Sequence, residues 1–214
     1  MLGPGQTFAH TFRAPGMYGY ADGGFGKYRG RVTVGGAAAA TLAAGRETVT
    51  FGSRVRLSGD VAGARSGERV AIFAKRFGAA SFSRVGVATT AAGGAWSYRA
   101  KPVVSTTFRA RAGGAWSGPV TVGVRPLVTF SARDGALSTS VSAARSLAGR
   151  FVVLQRRLAG GVWVAVKRVV LADEGAEFRA QLPPGRSVLR IVFPRSQAGP
   201  GYLPGISRTL AVTG

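Results

Sequence analysis

One histidine and eight carboxylates would have to serve any proton-transfer chemistry in this chain, against 29 lysines and arginines in 214 residues. His10, in "TFAHTF", is the lone imidazole, and no cysteine joins it as a metal ligand or acts as a nucleophile. A serine triad would need His10 as its base, yet His10 lies far in sequence from most serines. Paired carboxylates fare no better. Asp134, Asp173 with Glu174, and Glu177 sit in or beside turn sequences, where turn-forming Asp and solvated Glu account for them. Glu47 and Glu68 lie at strand starts among arginines, where surface pairing is enough. The glycine clusters "DGGFGKYRG" and "AGGAWSG" lack the strand-to-helix setting of a phosphate loop and read as hairpin turns. The expectation is a protein that is not an enzyme and holds no metal or cofactor.

What remains is charge. The formal net charge is +21, mostly from arginine, and a field of that size concentrates polyanions around any fold. Candidate partners are anionic cell-wall polymers, acidic lipid head groups and nucleic acid, the last bound without sequence preference. A compositional reading competes, because a GC-rich genome uses Arg, Ala and Gly codons heavily. In "FAKRF", "YRAK", "FRARAGGAW" and "QRRLAGGVW" arginine alternates with aromatic or aliphatic residues, which places guanidinium groups beside aromatic faces. Strand periodicity writes the same strings with apolar residues inward, arginines outward and nothing bound. The expected basic face consists of Arg69, Lys75, Arg76, Arg84, Arg109, Arg111, Arg156, Arg157, Lys167 and Arg168. Trp96, Trp116 and Trp163 are expected to pack in the core or at edges.

The elements that must position these residues are strands. Hydrophobic residues make up 46% of the chain and charged ones 17%, so it is not a disordered polymer. The apolar runs are short, rich in Val, Phe and Thr, and punctuated by Gly, Ser, Asp or Pro, as in "ETVTFGSRVRLSGDV", "ERVAIFAKRF", "TTFRARAGG" and "PVTVGVRP". "GGAAAATLAA" reads as a linker over residues 36–45. An internal repeat organises the rest: the stretch from Ser66, "SGERVAIFAKRF", aligns with that from Ala148, "AGRFVVLQRRL", at roughly eighty residues, the size of a small sandwich module. Phe108 and Leu189 each precede an arginine in the aligned copies. The boundary falls near Arg125–Pro126, where proline stiffens a very short joint. No apolar run is long enough to span a bilayer, and "MLGPGQTFAHTFRAPG" is no signal peptide, so any export signal is expected outside this chain or upstream of an internal start site.

With "FGSRVRLSGDV" opening, "TTAAGGAWSYRAKP" in the middle and "TTFRARAGGAWSGPVTVGV" closing, residues 46–126 resemble the immunoglobulin-like β-sandwich modules of bacterial exported and surface proteins, and residues 127–214 do so less closely. The second copy departs in "FPRSQAGPGYLPGISRTL", read as either a binding feature or a longer hairpin. Residues 1–35 are similar to the last strands of a cupredoxin: "TFAHTF", Pro15–Gly16, Tyr18, Tyr20 and Gly30–Val32–Val34 keep the frame. Asp22, Phe25 and Tyr28 stand where that family has its Cys, His and Met ligands, so type 1 copper is excluded. Three strands are too few for a core, and truncation is expected, with the segment packing poorly or borrowing a neighbour's edge. Together the resemblances imply an all-β chain: a partial cupredoxin-like segment, then two tandem immunoglobulin-like sandwiches. The implied role is an extracellular or cell-envelope spacer or adhesion module, holding a neighbouring domain and associating with anionic envelope polymers. The alternatives are a copper or electron-transfer fragment that has lost its site, and nonspecific nucleic-acid binding.

Overall fold

The computed structural model describes residues 9–12, 16–21, 29–34, 40–173 and 175–214. The chain is all-β, and among the described residues its one α-helix is a single turn. No helix among them is long and apolar enough to cross a membrane.

Strands β1 (Gly16–Ala21) and β2 (Arg29–Val34) form an antiparallel ribbon in unbroken register from Gly16↔Val34 to Ala21↔Arg29. Among the described residues the ribbon is a two-stranded sheet by itself and extends no neighbouring edge. Phe12 packs its ring 4.8 Å from His10 and 4.5 Å from Tyr18, centroid to centroid. Asp22, Phe25 and Tyr28, the positions compared with copper ligands, lie outside the described residues.

The first repeat comprises β3 (Ala43–Ala44), β4 (Thr48–Thr50), β5 (Val55–Asp60), β6 (Arg69–Arg76), β7 (Ser83–Thr89), β8 (Ala95–Ala100), β9 (Thr106–Ala112), β10 (Ala115–Trp116) and β11 (Val120–Arg125). One sheet runs β3-β5-β8 and the other β4-β11-β9-β6-β7, with β10 on β9. Alternation decides which faces close: Val55 and Leu57 on β5, Val70, Ile72 and Ala74 on β6, and Phe108, Ala110 and Ala112 on β9 are all buried. Each fully buried Leu, Ile or Val contributes about 1.5–3 kcal/mol. The linker expected over residues 36–45 needs correction in its second half. Ala40 is buried and bridges Val61, and β3 pairs with β5, so residues 40–44 are an edge of this sheet. The close approach is made on the facing strand at Gly59, where a Cβ would run into the Thr41 carbonyl oxygen.

The second repeat comprises β12 (Leu127–Arg133), β13 (Ala136–Ser142), β14 (Phe151–Arg157), β15 (Trp163–Val170), β16 (Ala176–Phe178), β17 (Arg186–Phe193), the single turn α1 (Arg195–Ala198), β18 (Gly205–Ile206) and β19 (Leu210–Thr213). Its sheets run β12-β13-β16 and β15-β14-β17-β18, with β19 also on β17. The correspondence with the first repeat reaches single bonds. A register shift falls between Ile72 and Phe73 where β6 pairs with β7, and between Leu154 and Gln155 where β14 pairs with β15. Buried Ser117 accepts from the Ala110 N–H at 2.9 Å and donates to Gly118 C=O. Ser207 repeats this with the Ile191 N–H at 2.9 Å and Arg208 C=O.

Between the repeats stands only Pro126, which is buried. The segment after β17 closes the joint. Leu203 N–H donates to Val124 C=O at 2.8 Å, and Ser105 N–H donates to Gly201 C=O at 2.9 Å. The Tyr202 hydroxyl donates to Val103 C=O and accepts from the Ala144 N–H, each at 3.0 Å, and ties a residue of each repeat to the loop. Two glycines make the approach possible. A Cβ at Gly123 would come within 2.6 Å of Leu203 Cδ1, and one at Gly201, where φ is +80°, within 2.7 Å of Val104 Cγ2. Of the two readings of "FPRSQAGPGYLPGISRTL", neither a free binding loop nor a plain hairpin describes this clasp.

Candidate polyanion-binding face

In each repeat the larger sheet has one face in the core, so register fixes what stands on the other. In the first repeat Val70, Ile72 and Ala74 point inward, leaving Arg69, Ala71, Phe73 and Lys75 outward. Phe73 is paired across to Arg84 and Arg109, Ala71 to Arg111, and Lys75 to Thr107. Arg69, Lys75, Arg84, Arg109 and Arg111 therefore share one face. Arg76 lies in the inward row, opposite buried Thr106, at the strand's end. From there it joins Lys75, Phe77, Phe82, Thr107 and Thr121 around a shallow groove of about 450 Å3.

Aromatic rings organise the guanidinium groups. Trp116, 39% exposed on edge strand β10, packs 4.7 Å from the Phe73 ring. The Arg109 and Arg111 carbons Cζ lie 5.0 and 5.4 Å from the Trp116 ring centre, within cation–π range. Arg109 Nε donates to Ser117 C=O at 3.2 Å.

The second repeat builds the same face from different residues. Arg168 lies opposite Val153, and its Cζ is 4.2 Å from the Phe151 ring centre. Arg157 is paired with Trp163 and is exposed. Two expected members are placed elsewhere. Arg156 falls opposite buried Leu189, in the inward row at the strand's end. Lys167 is paired with buried Leu154 and donates from Nζ to Arg179 C=O at 2.8 Å. Each is the chain neighbour of a residue on the outer face, Arg157 or Arg168, and adjacent residues on a strand point to opposite sides of the sheet.

One residue absent from the expected set belongs at the centre of this face. Arg190 stacks on Trp163 with Cζ 4.0 Å from the ring centre, and its Nε donates to Gln155 Oε1 at 2.8 Å. The repeat alignment held the signal, since Phe108–Arg109 matches Leu189–Arg190. Trp116 and Trp163 support arginines on the surface, whereas Trp96 is 4% exposed in the core. A second basic cleft, of about 370 Å3, lies by the β4–β11 edge among Arg46, Arg54, Arg125, Thr48, Thr50 and Ser53.

Negative charge is scarce around these groups. Among the described residues the ion pair present is Arg133–Asp134, 3.4 Å apart and solvent-exposed, so the face's cations are not neutralised by carboxylates. Asp134 occupies the β12–β13 turn with φ of +50°, as the turn reading anticipated. No family model matches the chain, and no curated protein matches it.

Proposed function

We propose that this chain is a non-enzymatic module of an exported or cell-surface protein: two immunoglobulin-like β-sandwiches in fixed tandem, spacing a neighbouring domain and associating electrostatically with an anionic envelope polymer. Supporting the immunoglobulin-like reading are the two sheets per repeat and their shared strand order, β3-β5-β8 against β4-β11-β9-β6-β7 and β12-β13-β16 against β15-β14-β17-β18. The binding reading rests on one observation above all. In both repeats the outer face of the larger sheet presents arginines stacked on aromatic rings with no carboxylate partner among the described residues.

The clasp favours a spacer, because a tandem tied by hydrogen bonds and buried apolar contacts holds its ends at a set separation. Cell-wall polyanion and nucleic acid, bound side by side to the purified chain across a salt series, test the proposal. Retention on wall polymer that falls as salt rises, yet persists near physiological strength, is the expected result. Salt-independent retention would remove the electrostatic mechanism. Equal and salt-labile binding to both polymers would reduce the charge to a generic property and leave a passive spacer.

A further inference from the structure

Of the basic groups on this face, two are held differently from the rest. Arg109 and Arg190 occupy matching positions in the two repeats, each following an inward-facing residue on the central strand, Phe108 or Leu189. Each uses Nε on an internal acceptor, Ser117 C=O or Gln155 Oε1, and each lies over a tryptophan. In both, the two Nη groups have no hydrogen-bond or ion-pair partner among the described residues. A guanidinium fixed in this way has already lost much of its rotational freedom, and its free edge offers two parallel N–H donors at the spacing of two oxyanion oxygens. The acceptors differ chemically, a backbone carbonyl in one repeat and a glutamine in the other, yet they produce the same arrangement.

We infer that Arg109 and Arg190 are paired oxyanion receptors, one per repeat, that grip a linear polyol-phosphate polymer, phosphodiester-linked and without bases, by its phosphates. This rests on the functional reading above and names its chemistry. Charge complementarity supplies the polyanion: the chain has net charge +21, and no carboxylate among the described residues pairs with either arginine. The choice among polyanions follows from the rings. Single-stranded nucleic acid is held by bases stacking on open aromatic faces. Here Trp116 is crowded by Phe73, Arg109 and Arg111, and Trp163 by Arg190. With the rings engaged by the protein's own groups, recognition falls to the repeating phosphates, and one receptor per repeat gives two attachment points along one polymer.

The test uses the full chain and immobilised poly(glycerol phosphate), with polygalacturonate and single-stranded DNA as comparison probes. Arg109→Lys and Arg190→Lys keep the charge and remove the fork; each is expected to weaken binding to poly(glycerol phosphate) about tenfold. Gln155→Leu leaves every charge in place but frees Arg190, and it should reproduce most of the Arg190→Lys loss. Arg133→Lys, on the opposite sheet, provides the control. Thermal unfolding of each variant accompanies the binding data, and Gln155→Leu decides the matter if a lysine variant fails to fold. Wild-type affinity in the lysine variants and in Gln155→Leu would overturn the receptor assignment. Binding to polygalacturonate or DNA as tight as to poly(glycerol phosphate) would overturn the choice of polymer. Failure of the wild-type chain to bind any of the three would instead sink the functional reading itself.

Discussion

The closing hairpins of the two repeats share a frame and differ in what they reach. Seven residues separate Ala110 from Ser117, and sixteen separate Ile191 from Ser207, so the second hairpin is longer by nine residues between the same buried hydrogen bonds. In the first repeat the hairpin turns at Gly113–Gly114 and supports Trp116 on the surface. In the second it folds back through α1 and seats Tyr202 against the first repeat, 8% exposed. The framework tolerates insertion because its serine pins the returning strand whatever lies between. One copy therefore keeps a surface aromatic that stacks arginines, and the other uses the added length to fix the joint.

The comparison can be broken at its most distinctive residue. Tyr202→Ala removes a buried ring and both bridging hydrogen bonds; a loss of about 3 kcal/mol is expected, and by calorimetry the wild-type chain should melt in one transition and the variant in two. One undivided transition at the wild-type temperature would mean that the Leu203–Val124 and Ser105–Gly201 hydrogen bonds and Pro126 couple the repeats without the tyrosine. The shared frame is sharpened by Ser117→Ala and Ser207→Ala. Each leaves a buried N–H unmet and should cost about 1–3 kcal/mol, to a similar extent in both repeats by denaturant titration. A large cost in one repeat only would show that matched geometry hides unequal energetics. The smallest effect concerns the opening strands. Asp134→Ala, at φ of +50° in the β12–β13 turn, should cost about 1 kcal/mol, and Asp134→Gly should restore stability or exceed it.

How much of this was written in the sequence depends on which residues are considered. Strand class was legible because Val, Phe and Thr alternate over short runs, and the repeat was visible because Gly67 and Gly149 precede matching apolar pairs. The run from Ala37 to Ala40 was opaque, since alanine has neither period nor bulk, and only the Ala40–Val61 bridge reveals an edge. Arg76, Arg156 and Lys167 fall in the inward rows because each adjoins another expected member, Lys75, Arg157 or Arg168, and neighbours on a strand cannot share a face. Arg190 stood outside the expected face because its string, "VLRIVF", has no aromatic in the outward row; Phe193, on the same strand, faces the core. Its tryptophan comes from β15, across β14, a proximity that only sheet order supplies. The clasp was hidden for the same reason. Tyr202 looked like a loop aromatic until Val103, ninety-nine residues earlier, became its hydrogen-bond partner.

The parallel pairing of β4 with β11 has a mechanical meaning. These strands lie near the entry and exit of the first repeat, side by side and pointing the same way, from Gly123↔Thr48 to Arg125↔Thr50. Tension that draws the start of β4 away from the end of β11 slides one strand along the other. The bonds from Gly123 N–H to Glu47 C=O and from Phe51 N–H to Arg125 C=O, each 2.8 Å, are then strained together rather than in turn. Among the described strands the second repeat has no such parallel pair. Under a stretching load the first repeat thus acts as a shear grip, its opening resisted by both bonds at once.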